Sequence, residues 1–194
     1  MKKAELIAAV LAIISLGLNL LLIPGGGMMT VLTLSILAII YMYLSFALFN
    51  NIRLSKIFDK NSYKDISILK IIGAVGTGLA LSITLIGILF KFQSWPGASI
   101  NMGVGLVGLL IVTVISLLKY FQNKSDYYTR IFKRVTIFGG IGLILMATPQ
   151  HSWIAFKYRN FPAFVDAHKK ASANPGNKKL WEKVEIERRK MHNK

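Results

Sequence analysis

Uncharged, mostly apolar residues follow one another in four long runs along this chain, and short segments between the runs hold most of the charge. The runs are Leu6–Ile23, Met28–Phe49, Ile71–Phe90 and Ile100–Leu118, with 18 to 22 residues each. An α-helix rises about 1.5 Å per residue, so each run can cross a hydrocarbon core of about 30 Å. The pattern predicts an all-α fold, a polytopic transmembrane helical bundle.

A shorter apolar run, Val135–Thr148, precedes Pro149 and reaches the length of a span only if it extends to Trp153. We predict five spans, at about residues 5–23, 28–49, 68–92, 99–120 and 132–153. The transmembrane bundle then occupies residues 1–153, and residues 154–194 form a basic helical tail. A re-entrant or surface helix in place of the fifth span is the alternative, and it would leave the tail on the side of the N-terminus.

Along the chain, segments with several basic residues alternate with segments that have one or none. The N-terminus and the segments around residues 50–70 and 119–134 contain 12 Lys and Arg, whereas the two segments on the other side contain one, Lys91. Positive charge is retained in the cytoplasm, so we predict a cytoplasmic N-terminus. With five spans the tail is periplasmic, although its net charge of +7 favours the cytoplasm.

The chain also looks internally duplicated, with an offset of 72 residues. Pro24-Gly25 corresponds to Pro96-Gly97, and Phe49 and Asn51 correspond to Phe121 and Asn123. We interpret the repeat as a hairpin of two spanning helices that is used twice in the same orientation, followed by the beginning of a third copy.

The tail shows two amphipathic helical patterns separated by Asn174-Pro175-Gly176-Asn177. Asn160 and Asn174 are the predicted helix starts, because Asn favours the N-cap position. The predicted apolar faces are Phe161, Phe164, Val165 and His168 in the first helix, and Leu180, Trp181, Val184 and Met191 in the second. We expect a short helical hairpin, with docking of a partner as the sharper alternative.

The composition and the motifs limit the classes of function that we expect for this chain. The net charge is +16, but the basic residues flank apolar spans or lie in the tail, so we expect the lipid bilayer as a partner and no nucleic acid. No cofactor is implied, and we name no catalytic, cofactor-binding or metal-binding residue. His151, His168 and His192 lack ligand spacing, and Gly103-Val104-Gly105-Leu106-Val107-Gly108 lies in an apolar helix rather than after a strand.

Small residues recur at helical spacing in the third and fourth runs. Such residues let membrane helices approach each other closely, so they predict the tight contacts of the bundle. The predicted packing residues are Gly73, Gly76, Ala80, Thr84, Gly87, Gly105 and Gly108.

One hairpin carries a recognisable motif. Phe90, Lys91, Trp95, Pro96 and Gly97 form F-K-x-x-x-W-P-G, which we interpret as an interfacial motif with an aromatic anchor, a tight turn and a lysine that extends to the head groups. Pairing of Lys91 with a carboxylate of a partner subunit is the alternative. Residues 71–120 resemble the membrane segment of GldL-type gliding-motility proteins and related small membrane proteins. The resemblance implies a bacterial inner membrane and a component of a proton-driven motor for type IX secretion. Ser94 stands where the family has His, and residues 105–109 lack its acidic residue.

We therefore expect a non-enzymatic membrane protein, a structural or accessory subunit that associates with itself or with another membrane protein. A small transporter or channel is the first alternative, and it would need a polar path lined by residues such as Asn19, Asn101 and Lys91. An enzyme that acts on lipid is a third and weaker hypothesis.

Overall fold

The protein is an all-helical integral membrane protein. A computed structural model describes residues 1–192, and no β-strand occurs among them. The helices are α1 (Lys2–Leu20), α2 (Gly26–Phe49), α3 (Ile68–Gln93), α4 (Ala98–Gln122), α5 (Asp126–Arg134), α6 (Gly140–Ala147), α7 (Gln150–Lys157), α8 (Pro162–Ala173) and α9 (Lys178–His192). Two short 3₁₀ turns lie between α2 and α3, and a π-helical segment, Val135–Gly139, joins α5 to α6.

Helices α1 to α4 are each long and apolar enough to cross a membrane. Their bounds match the first four predicted spans within a few residues. The predicted fifth span over residues 132–153 is broken, because the helix ends at Ala147 and a new one begins at Gln150. The residue before a proline avoids the helical conformation, so Thr148 stops the helix ahead of Pro149. Four or five spans are therefore compatible with the helix lengths.

The chain divides into two compact units, Met1–Ala147 and a second unit that begins at Thr148. The first unit contains α1 to α6, and the second contains α7 to α9. We predicted the boundary after residue 153; it falls earlier because the break at Pro149 separates α6 from α7. Residues 193 and 194 of the predicted tail lie outside the described part of the chain.

In the first unit, consecutive helices are neighbours, and α3 packs against both α2 and α4. Two tight turns, at residues 21–25 and 94–97, lie at one end of the bundle, which we call the turn end. The opposite end, where α2 leads into the 3₁₀ turns and α4 leads into α5, is the loop end. Gln93 Nε2 donates a 2.6 Å hydrogen bond to the Gly27 carbonyl and so joins the two turns.

The segment α5–α6 follows α4 in the antiparallel direction. At the loop end, the rings of Tyr120 and Phe132 lie 5.9 Å apart. Further along, a Cβ on Gly139 would lie 3.4 Å from Leu109, and one on Gly142 would lie 3.3 Å from Leu106. A Cβ on Gly103 would lie 3.6 Å from Met146 Cε. Residues 132 to 146 thus contact residues of α4 in reverse order, from 120 to 103. The segment therefore runs from the loop end towards the turn end.

The second unit is a small helical assembly with its own apolar core. Helices α8 and α9 pack against each other, as the predicted hairpin requires. The core residues are Ile154, Phe164, Ala167, Ala171 and Val184. The predicted helix starts are wrong by one to three residues. Helix α8 is capped by Phe161 with Pro162 in its first turn, and the Asn177 side chain accepts a hydrogen bond from the Lys179 amide at the start of α9.

Candidate functional site

The Phe90–Gly97 motif forms the turn between α3 and α4. Ser94 ends α3 in the left-handed conformation (φ 57°), and its amide donates to the Lys91 carbonyl while the Trp95 amide donates to the Phe90 carbonyl over 2.8 Å. This is the Schellman arrangement that closes many helices. The Trp95 ring meets the Phe90 ring edge-on at 5.3 Å, and Gly97 has a φ of 86°, a conformation that favours glycine.

The turn between α1 and α2 repeats this geometry 72 residues earlier. Leu22 has a φ of 56° and Gly25 one of 82°, in the positions of Ser94 and Gly97. The Ile23 amide donates to the Leu18 carbonyl, which matches the Trp95–Phe90 hydrogen bond at the same offset. The shared backbone supports the duplication that the sequence pattern suggests.

Lys91 is the residue of the motif for which the interpretation from sequence is wrong. A lysine that extends to the head groups keeps its ammonium group in water, but Lys91 is 2% exposed and ranks among the largest fully buried side chains. It occupies the place of Asn19 in the first hairpin. Asn19 is also buried and donates to Thr30 Oγ1. The duplication thus puts a polar side chain at the same buried position of both hairpins.

The α3–α4 contact is built from the predicted small residues. A Cβ on Gly108 would lie 3.0 Å from the Ala80 Cβ, and one on Gly105 would lie 2.6 Å from the Thr84 backbone nitrogen. At Gly87 the added atom would be 2.6 Å from the Met102 nitrogen. At Gly105 and Gly87 a Cβ would require one helix to move, whereas at Gly108 a small displacement of the Ala80 methyl group would make room for it.

Two of the predicted packing residues lie elsewhere. The prediction for Gly76 is wrong, because no heavy atom lies within 4 Å of a Cβ built on it and the residue is exposed. A Cβ on Gly73 would meet the Tyr127 hydroxyl of α5 at 3.0 Å, so Gly73 does not face α4. Gly78, which we did not predict, is buried against Ser45 and the Tyr41 carbonyl of α2.

A largely buried charge cluster near the loop end was missed by sequence reasoning. Arg134 at the end of α5 forms a double hydrogen bond and ion pair with the Glu5 carboxylate in α1, and the two side chains are only 13% and 12% exposed. Tyr41 in α2 donates to the same carboxylate over 2.6 Å. Glu5 was overlooked because it lies at the edge of an apolar run, and nothing local indicates a partner 129 positions away.

Two arginines of α5 also cover the C-terminal end of α2. Arg130 Nε donates to the Phe49 carbonyl over 2.9 Å, and the Arg134 guanidinium lies 5.2 Å from the centre of the Phe49 ring. Cations at a helix C-terminus complement its negative dipole end and its unpaired carbonyls. The cluster therefore fastens α5 to both α1 and α2.

The second unit contains a buried and a half-buried titratable group with shifted pKa values, Lys157 and His168. Lys157 is 4% exposed, and burial, with a smaller effect from the Arg188 charge, lowers its pKa to about 8. Burial and the Arg188 charge also lower the pKa of His168, whose ring lies 5.6 Å from that of Trp181. Among the described residues, no three His, Cys, Asp or Glu side chains are close enough to hold a metal ion.

No protein-family model, no curated protein and no solved structure matches this chain.

Proposed function

We propose that this protein is a non-enzymatic structural or accessory subunit of a membrane complex. The observation that carries the proposal is the close packing of α3 between its neighbours. Gly78 lies against Ser45 on one side, and Gly105 and Met102 lie against Thr84 and Gly87 on the other. Large side chains such as Tyr41, Phe49 and Leu81 are fully buried in the same interior. Helices packed at the density of a protein interior suit a rigid scaffold.

Surfaces for association are available on the flanking helices. In α4 the residues Ile111, Val114 and Leu118 are at least half exposed and apolar, and α1 presents a similar face with Leu6 and Ile13. In a bilayer these faces contact either lipid or another membrane protein. A second copy of the chain or a different subunit is the proposed occupant of one of them.

The proposed topology has five crossings, a cytoplasmic N-terminus and a periplasmic tail in a bacterial inner (plasma) membrane. The antiparallel contacts of α5–α6 along α4 support the fifth crossing, since they extend from Phe132 at the loop end to Met146 towards the turn end. The distribution of basic residues supports the orientation. The location follows from the resemblance to GldL-type proteins, which also supports a narrower form of the proposal, a component of a motility or secretion motor.

A small transporter or channel is the second candidate, and one observation favours it. The hydroxyl groups of Ser45 in α2 and Ser82 in α3 are buried and have no hydrogen-bond partner among the described residues. Buried hydroxyl groups are normally paired with protein or with water. Water beside these two serines would give α2 and α3 a polar interior.

Site-specific photocrosslinking in native membranes tests the proposal. A benzophenone amino acid is placed at Ile13 in α1 and, in a separate variant, at Ile111 in α4; at least one of the two should give a discrete adduct with one polypeptide, whereas the same group at buried Leu109 should crosslink only within the chain. Flux of ions and small solutes into proteoliposomes should not exceed that of empty vesicles. Crosslinks to lipid alone from both α1 and α4, together with solute flux that Ser82→Ala reduces, would contradict the proposal and favour the transporter.

A further inference from the structure

Helix α9 presents a basic stripe on its exposed side. Lys179, Lys183, Ile186 and Lys190 follow one another at spacings of four, three and four residues, so their side chains share one face of the helix. Val184, on the opposite face, is completely buried against the core of the second unit. All four stripe residues are exposed, and Ile186 is an isolated apolar residue that is 54% exposed.

Acidic residues cancel this charge only in part. The ion pair of Arg188 with Glu185 lies away from the stripe, because the Arg188 guanidinium is 5.9 Å from the Phe164 ring of α8. Glu187 pairs with one stripe lysine, Lys190, at 2.7 Å, and Lys179 and Lys183 form no ion pair among the described residues. Glu182 borders the stripe. The whole segment after residue 153 has a net charge of +7, so the field around α9 is positive.

The second unit begins at Thr148, directly after the last residue of the membrane bundle. On either side of the membrane, chain continuity keeps α9 close to a leaflet, at an effective concentration in the millimolar range for such a short tether. Lysines near an anionic surface are attracted to it, and an exposed apolar side chain among them can enter the region between head groups and acyl chains.

We propose that the Lys179–Lys190 stripe binds the phosphate head groups of anionic phospholipids in the bilayer that contains the bundle. The lysine ammonium groups contact the phosphates, and Ile186 inserts between them. The inference is independent of the proposed subunit role, because it requires only that the chain be anchored in a bilayer.

The test uses the full chain in nanodiscs. The protein contains no cysteine, so Ile186→Cys provides one attachment site for an environment-sensitive fluorophore. Quenching by nitroxide-labelled lipid is compared between discs of phosphatidylcholine alone and discs with one third phosphatidylglycerol. We expect strong quenching only in the anionic discs, and its loss in 0.5 M salt because exposed charges are screened.

Two double variants, each with two lysines replaced by glutamate, distinguish binding by the stripe from a general effect of the net charge of the tail. Lys179→Glu/Lys183→Glu should lower the ratio of bound to unbound tail at least about 25-fold, since each lysine removed near an anionic surface changes it about fivefold. Lys169→Glu/Lys170→Glu alters net charge equally on α8 and should retain most of the quenching. Equal losses in both variants would overturn the stripe, as would a fluorophore that remains in water in anionic discs; the latter result would favour an acidic protein as the partner.

Discussion

Gly105 in α4 and Gly76 in α3 both lack a Cβ, but helix packing requires this only at Gly105. A Cβ on Gly105 would lie 2.6 Å from the Thr84 nitrogen and 2.8 Å from its Cα, and backbone atoms cannot turn aside. We expect Gly105→Ala to lower the unfolding temperature in detergent, at a cost of about 1–3 kcal/mol. The measurement is size-exclusion chromatography after heating.

Gly76→Ala is the matched control, because open space surrounds a Cβ at this position. It should unfold at the temperature of the unmodified protein or slightly above, since alanine favours the helix over glycine. Equal unfolding temperatures for the two variants would contradict the close α3–α4 contact.

His168 offers a prediction about pH. Burial, then the Arg188 charge, lowers its pKa below the ordinary value of about 6.5. The unfolded chain therefore binds a proton more readily than the folded unit does. The contribution to stability is complete above the ordinary pKa and is lost as the pH falls below it through the lowered pKa.

Trp181 provides the optical signal, because its ring lies edge-on to His168. We expect Trp emission in the full chain to change reversibly as the pH is lowered, with a midpoint below the ordinary histidine pKa of about 6.5. The change should disappear in His168→Gln. A midpoint above 6.5, or an identical change in that variant, would contradict the assigned environment.

At the scale of helices, the length, order and apolar character of α1 to α4 could be predicted because each depends on a long local run. The end of α2 at Phe49 and the small-residue contact around Ala80 and Thr84 were also accessible from spacing. The π-helical segment Val135–Gly139 was not, because it depends on how α5 and α6 fit the rest of the bundle. Lys91 was misjudged for the same reason, since its burial is a property of the tertiary structure.

The Glu5–Arg134 pair joins α5 to α1, and it gives a prediction for this element. Removal of one partner leaves a buried charge without its counter-ion, which typically costs about 3–5 kcal/mol. Glu5→Gln and Arg134→Gln should each lower the unfolding temperature clearly. The double variant Glu5→Met/Arg134→Met should lose less than the sum of the two, because apolar replacement leaves no buried charge.

An exposed pair on the same protein supplies the control. Lys56 and Asp59 lie 4.0 Å apart with side chains 60% and 38% exposed, so Asp59→Asn should cost at most about 1 kcal/mol. Additive losses at Glu5 and Arg134, each no larger than that of Asp59→Asn, would show that the cluster does not hold α5 in place.

At the scale of the molecule, the duplication explains more of the fold than any single motif does. The offset of 72 relates both turns in backbone conformation and places Asn19 and Lys91 at equivalent buried positions. Recurrent turn residues made the repeat visible in the sequence. The third copy that we interpreted from the sequence stays a prediction, because α5–α6 is too short and too irregular to align with the complete hairpins.

The course of α5–α6 decides the side on which the tail emerges, and cysteine labelling can measure it. If this segment crosses the bilayer as its contacts with α4 suggest, Ala173→Cys in α8 should react with a membrane-impermeant maleimide in intact cells, while Lys64→Cys between α2 and α3 should react only after permeabilisation. Both positions are exposed, and the chain has no other cysteine. Equal protection of the two residues would instead make α5–α6 a re-entrant element, and the positive tail would then share the cytoplasmic side with the other basic segments.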